Sequence, residues 1–406
     1  MPSNESWQKV RFDEICKNVS KRVDNPQESE YEKFVGLEHL DTLEPKITRF
    51  GSTNDVTSSM TLFKNKQILF GRRNWYLRRV AVADFDGLCS GDIYVLEAID
   101  KKIIKEFLPL FMHSDEFFEK NMMYSHGSMS TRVKWSNLAK LEFLIPSIEQ
   151  QENILSITHK IDQGISAAQN LLEKTKNYMI SRRESLLTRG IDHTKFKKVP
   201  WYYGKTIEIP EEWEVLKFND VSKIKRGASP RPIADQKYFG NGRGWIRIND
   251  VTNSQKYLKQ TRQYLSKLGE SRSVPVNPND VIMSIAATLA VPIILKMEAC
   301  IHDGFILFSD ISESVNHEFL YYTLLHSREQ FLAQRQTGTQ SNLNSEIVGN
   351  SFFIKPTLSE QNQIISILQN LSKQITQQQS HLNNLKVLRK SILNSKLTKE
   401  KTNVTN

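Results

Sequence analysis

FLIPSIEQQENI at residues 143–154 and FIKPTLSEQNQI at residues 353–364 are nearly the same phrase written twice. Each carries a short apolar run through a proline, places a glutamine five positions later, and opens a long polar stretch. A first helical turn tolerates proline, because the N–H it lacks would have no intrahelical partner there. Both phrases therefore read as the start of a helix. After Pro146, apolar residues fall at Ile154, Ile157, Ile161, Ile165, Ala168, Leu172, Met179 and Leu186; after Pro356 they fall at Ile364, Leu368, Leu371, Ile375, Leu382, Leu385 and Ile392. Steps of three and four sustained this far make a narrow stripe, the seam of a coiled coil. Thr175, Arg182, Gln378 and Arg389 interrupt the seams and read as frayed turns or polar register locks. Ser185 follows its proline by 39 residues and Ser391 follows its own by 35. Four residues is about one turn, so the apolar face keeps its phase through the change. Helices of this length make rods of about 55 Å, and neither buries its stripe alone. They are expected to pair antiparallel within the chain.

Upstream of each phrase the repeat continues. WQKVRF (residues 7–12) answers WEVLKF (213–218), FVGLEHLD (34–41) answers WIRINDVT (245–252), and QILF (67–70) answers DVIM (280–283). SGDIYVL (90–96) answers HDGFILF (302–308), EFL recurs at 106 and 318, and HGSMST (126–131) answers TGTQSN (337–342). Ordered matches at a nearly constant offset are the mark of an internal duplication. Short β-branched and aromatic runs broken by glycine and proline, with a few amphipathic helices between them, make each upstream segment α+β. The expected plan is a mixed domain over 1–146, a long helix over 147–190, a linker over 191–212, a second mixed domain over 213–356, a second helix over 357–399, and a tail over 400–406. The two halves should be related by a pseudo-twofold.

Composition narrows the function. The 406 residues are 39% hydrophobic, enough for folded cores. No stretch approaches the roughly 18 to 20 apolar residues of a membrane span, and MPSNESWQKV at the N-terminus has no apolar signal core. The expected location is cytoplasmic, with no membrane partner. Cys16, Cys89 and Cys300 form no CxxC pair and read as buried apolar residues, and the nine histidines show no metal-ligand spacing. GKT at 204–206 resembles the end of a phosphate loop, but Val199 stands where its first glycine must be. NPND at 277–280 resembles the Asn-Pro-Pro-aromatic motif of adenine methyltransferases but lacks the second proline and the aromatic. No catalytic residues, metal or cofactor are expected in this chain. Its net charge of +10 favours a polyanionic partner.

WEVLKFNDVSKIKRGASP (213–230), WIRINDV (245–251), VIMSIAATLAVPIILKMEACIHDGFILF (281–308), TGTQSNLN (337–344) and KPTLSEQNQIISIL (355–368) resemble, in this order, the specificity (S) subunit of Type I restriction-modification systems. The resemblance covers nearly the whole chain. It implies that each mixed segment is a target recognition domain and that the chain binds double-stranded DNA at a bipartite, asymmetric target. It implies too that the helices bring two modification (methyltransferase) subunits to the DNA, and restriction/translocase subunits through them. The chain itself would be non-catalytic, with S-adenosylmethionine, ATP and Mg in the partner subunits. ICKNVSKRVDNP (15–26) in the first half departs from IKRGASPRP (224–232) in the second, and GRRNWYLRR (71–79) faces SIAATLAVP (284–292) at the equivalent place, so the half-sites are expected to differ.

DNA reading needs cations for phosphates and fork-shaped side chains for base edges. KNKQILFGRRNWYLRR (64–79) has six basic residues and no acid, giving Arg72, Arg73, Asn74, Tyr76 and Arg78 as candidates. A solvated hairpin would show the same composition. KIKRGASPR (223–231) gives Lys225, Arg226, Ser229 and Arg231 on a Gly/Pro-enforced loop, and WIRINDV gives Arg247. The amide-rich loops SHGSMSTR (125–132) and RQTGTQSNLN (335–344) add Ser128, Arg132, Thr339, Gln340 and Asn342, and could equally be ordinary turns. Lys386, Arg389, Lys390 and Lys396 in the last helix read as solvated charges. Two other classes stay open at this point: a stand-alone DNA restriction or modification enzyme with an unrecognised site, and a two-headed adaptor that grips protein.

Overall fold

The structure is a computed structural model that describes residues 7–99, 102–125, 132–202, 204–333 and 343–397. The chain divides into two compact units, residues 1–170 with 379–406, and residues 171–378. Each unit contains one mixed domain together with stretches of two long helices, α1 (Ile148–Arg189) and α2 (Leu358–Leu397).

In the first unit an antiparallel sheet runs in the order Cys16–Asn18, Ile93–Ala98, Ile68–Gly71, Val80–Val82. A second sheet runs Lys21–Val23, Met60–Phe63, Gly87–Cys89, Lys33–Val35, Gly51–Ser52, with one parallel pair at its heart, Lys33–Val35 beside Gly87–Cys89. The second unit repeats this plan. Lys223–Arg226, Phe305–Ser309, Val281–Ser284 and Pro292–Leu295 form one sheet, extended by Tyr257–Leu258. Gln263–Leu265, Phe239–Ile246, Ala299–Ile301 and Val274–Val276 form the other, again with one parallel pair. The register repeats too. Phe34 and Val35 stand opposite Leu88 and Cys89, as Trp245 and Ile246 stand opposite Cys300 and Ile301. Each mixed domain is closed by a pair of strands next to a long helix, Trp7–Arg11 with Glu142–Pro146 and Glu214–Lys217 with Phe352–Lys355. These are the strands written by the duplicated tryptophan and proline phrases. All three cysteines are buried and unpaired; burial pushes the Cys89 thiol up to about 12 and that of Cys300 to about 11, so neither is a ready nucleophile.

The proline-glutamine phrase has a mechanical role. Gln151 is fully buried; its Nε2 donates to the carbonyls of Pro146 (2.9 Å) and Lys102 (3.1 Å), while its Oε1 accepts from the Ile104 N–H (2.8 Å). Gln361 does the same with the carbonyls of Pro356 (3.0 Å) and Ser314 (2.9 Å) and the N–H of Asn316 (2.9 Å). One amide thus ties the first turn of each long helix to a loop of its own domain.

In the first unit the helices run antiparallel: Asp162 meets Arg389 at 2.5 Å, and Ile154, earlier on α1, shares a core with Leu393 and Leu397, later on α2. In the second unit Met179 meets Ser372 at 3.9 Å, and Leu186 and Leu187 share a core with the earlier Ile364, Ile365 and Leu368. Three expectations need correction. Arg389 is not a solvated charge: its side chain is 12% exposed and paired with Asp162. Ile157 lies outside the seam, and Thr158 is buried beside it, its hydroxyl satisfied by the Ile154 carbonyl at 2.7 Å. Residues 191–212 are no linker. Phe196–Pro200 and Thr206–Pro210 form a hairpin whose Val199, Trp201 and Ile209 join the core of the second unit. Its lysines conceal the alternation that marks a half-buried strand. Among the described residues no helix is long and apolar enough to cross a membrane.

Candidate nucleic-acid interface

In the first unit three of the candidate arginines gather around one turn, between strands Gly87–Cys89 and Ile93–Ala98. Asp92 in that turn is 15% exposed, and its carboxylate stands 3.0 Å from Arg132 Nε, 3.6 Å from Arg73 Nη1 and 3.9 Å from Arg72 Nε. The backbone fixes this convergence. Arg72 N–H donates to the Asp92 carbonyl (2.9 Å), Val133 N–H donates to the Arg72 carbonyl (2.9 Å), and Arg73 bridges to Arg132. The Arg72 guanidinium lies 5.2 Å from the ring of Tyr94, whose hydroxyl donates to the Val133 carbonyl at 3.0 Å. Arg72, Asp92, Tyr94 and Arg132 line a polar cleft of about 610 Å³, which Arg22, Thr61 and Ser90 also border. Arg22, Arg72 and Arg132 against the single Asp92 carboxylate leave the cleft positive, the sign a phosphate backbone needs.

The second unit uses the corresponding turn, between Ala299–Ile301 and Phe305–Ser309. Asp303 there accepts from Arg231 Nη2 at 2.6 Å and from the Ser229 hydroxyl at 2.8 Å, and its carbonyl accepts from Arg226 Nε at 3.0 Å. Burial opposes ionisation of this carboxyl, but the Ser229 hydrogen bond and the Arg231 charge outweigh it and hold the group below the usual carboxylate range. Arg247 stacks 4.7 Å from the Trp245 ring, and burial, aided by the Arg247 charge, lowers the pKa of neighbouring His302.

The structure thus brings together Arg72, Arg73 and Arg132 in one unit and Arg226, Ser229 and Arg231 in the other, with Arg247 close by. It separates others from them. Arg78 pairs with Asp115 and lies 4.8 Å from the Phe118 ring, turned into the domain. Lys225 neighbours Arg226 on a strand, so its side chain takes the opposite face. Asn74 adopts a left-handed conformation (φ 50°) at the start of a short turn, Trp75–Leu77, where Trp75 is buried and Tyr76 projects with 58% exposure. Ser128, Thr339, Gln340 and Asn342 lie outside the described residues. Sequence reasoning missed Asp92, Asp303 and Tyr94. A search for acid-free basic runs passes over the one acid that organises them, although SGD and HDG stood in the repeat. Among the described residues no group of three or more His, Cys, Asp or Glu side chains is placed to hold a metal ion.

The model of the Type I restriction modification DNA specificity domain matches residues 4–177 and again residues 210–386. The chain belongs to this family. It is 23% identical to the Type I restriction enzyme MjaVIII specificity subunit of Methanocaldococcus jannaschii over 97% of this chain and 92% of that one. A solved chain from work on complex assembly and conformational transition of the type I R-M system shares the fold, with a TM-score of 0.67, 20% identity, and coverage of 97% of this chain and 98% of that one. The HsdS subunit from Thermoanaerobacter tengcongensis aligns with a TM-score of 0.51 and 19% identity, over 97% of each chain. As a Type I specificity subunit, the chain is a non-catalytic recognition component, and the stand-alone enzyme falls away.

Proposed function

We propose that this specificity subunit reads a two-part, asymmetric DNA target, one part per mixed domain, and docks two methyltransferase subunits on its long helices, with restriction/translocase subunits joining through them. The observation that carries the reading is the pair of equivalent turns, each collecting arginines, with the arginines supplied from different loops in the two domains. The same frame with different readers gives unlike half-sites. Leu171 and Tyr178 on α1 are more than half exposed and stand one heptad apart, and Val387 on α2 is 68% exposed. Such apolar residues on a helix suit a partner protein. S-adenosylmethionine, ATP and Mg belong, on this reading, to the partners.

The test is the spacing of the target. Inserting or deleting one four-residue turn between Gln163 and Thr175 changes helix length by about 6 Å. Methylation mapping in a genome carrying the variant with its methyltransferase partner should then show a changed nonspecific gap and both half-sites unaltered. An unchanged gap, or an altered half-site, refutes the spacer model.

A further inference from the structure

We infer that Asp92 and Asp303 are the positioning residues of the two readers: each carboxylate sets the guanidinium geometry from which base edges are selected, and weakens attachment to phosphate alone. The inference rests on the DNA-reading function proposed above and assigns within it a role to two acids in otherwise basic surfaces.

The argument starts from electrostatics. For a protein that gripped only phosphates, a carboxylate amid arginines would be a defect, since it repels the backbone and offsets a cation. Both domains nevertheless place one at the same turn. The arginines it meets are not repeated: Arg72 and Arg73 come from the end of strand Ile68–Gly71 and Arg132 from a later segment, whereas Asp303 pairs with Arg231 from the Gly227 loop, and Arg226 reaches only its backbone carbonyl. The acid occupies the turn although the cations come from different loops. A free arginine has five donors on a flexible stem and finds any phosphate. One whose guanidinium is held by a carboxylate keeps a fixed fork for a base edge, and bidentate arginine pairing with guanine is the commonest specific interaction in the major groove. Packing supports the same role. Asp92 is 15% exposed beneath its arginines, Arg72 is further held against Tyr94, and the Arg231 carbonyl is held by the Tyr238 hydroxyl at 2.8 Å.

The experiment uses the full chain with its methyltransferase partner and measures binding to the cognate duplex and to duplexes mismatched in one half-site at a time, at two salt concentrations. Asp92→Asn keeps the shape of the side chain and removes its charge. It should lower discrimination in one half-site at least tenfold, leave the other half-site untouched, and raise affinity for the mismatched duplex. Asp303→Asn should do the same in the other half-site, and Asp92→Glu should restore part of what Asp92→Asn loses. Thermal melts accompany each variant; if Asp92→Asn does not fold, Asp303→Asn and Arg132→Gln, each confined to one half-site, decide the matter. Cognate and mismatched affinities that shift by the same factor would make the acids mere surface charges and overturn the inference. Wild-type complex that binds all duplexes alike would sink the DNA-reading function itself, a different result from wild type that discriminates beside variants that discriminate equally well.

Discussion

The two mixed domains share a frame and differ in what they hang on it. Both clamp a long helix with one buried glutamine, Gln151 or Gln361, through equivalent hydrogen bonds. Both pair equivalent strands in equivalent register. Yet in one the segment after the strand equivalent to Ile68–Gly71 and Val281–Ser284 reads GRRNWYLRR, and in the other SIAATLAVP. The difference teaches that burial preserves the frame, where an unpaired polar group costs free energy, while the loop tips, where Arg73, Tyr76, Ala287 and Thr288 are exposed, are free to vary. If so, frame substitutions should act alike in the two domains and tip substitutions should act one half-site at a time.

The largest effect is expected at the frame. Gln151→Leu or Gln361→Leu strands a buried proline carbonyl together with a part-buried carbonyl and N–H, which should cost about 3 to 5 kcal/mol. Urea unfolding of the two variants should show similar losses. A large loss at one glutamine and none at the other would break the equivalence.

A pair of histidines, His113 buried and His326 half-buried, tests the frame by pH. His113 follows Glu106 of the first EFL by seven residues and His326 follows Glu318 of the second by eight, each followed by a serine. Burial, then the neighbouring Arg389, pushes His113 down to about 3; burial, then Arg183, pushes His326 down to about 4. Both values lie below the ordinary histidine value of about 6.5, so the unfolded chain takes up the proton first. The stability held by the neutral rings is full above about pH 6.5 and is lost as pH falls, by about 3 kcal/mol per histidine at pH 4.5. Unfolding measured between pH 7.5 and 4.5 should flatten in His113→Gln and His326→Gln. A slope unchanged by both substitutions would remove these histidines from the frame.

The division between frame and tip also explains what could be read from the sequence. The duplication, the two helices and the strands at the quoted phrases were legible because buried apolar spacing repeats in short stretches. The hairpin over 196–210 was not, because Trp201 and Ile209 find their core partners in elements distant in sequence, Phe331 among them. Arg72, Arg73, Arg226 and Arg231 were legible as cations but not as members of a cluster. Asp92 comes to its arginines through strand pairing across a domain, which no local pattern reports.

At the tips, Arg72→Ala with Arg73→Ala should relax discrimination in one half-site by about 1 to 3 kcal/mol for each bidentate arginine–base pair removed, and Arg226→Ala with Arg231→Ala should do so in the other. Binding of each double variant, with its partner, to singly mismatched duplexes separates the cases. Loss of discrimination in both halves from one double variant would mean that the domains do not read independently.

The smallest effect on recognition is expected at Arg78, and it sharpens the line between tip and frame within a single basic run. Arg78 sits six residues from Arg72 and looks the same in the sequence, but its guanidinium pairs with Asp115 and covers Phe118, and Asn394 of α2 also reaches that carboxylate. Arg78→Ala therefore removes a partly buried ion pair and a cation–π interaction, a stability loss of about 1 kcal/mol. It removes no charge from the cleft beside Asp92, so half-site discrimination and the dependence of affinity on salt should match wild type. Arg73→Ala, by contrast, should reduce the salt slope by about one if that side chain also meets a phosphate. Should Arg78→Ala change the salt slope while leaving the melting temperature alone, the arginine would belong to the DNA surface after all, and the inward pairing with Asp115 would have to open when DNA binds.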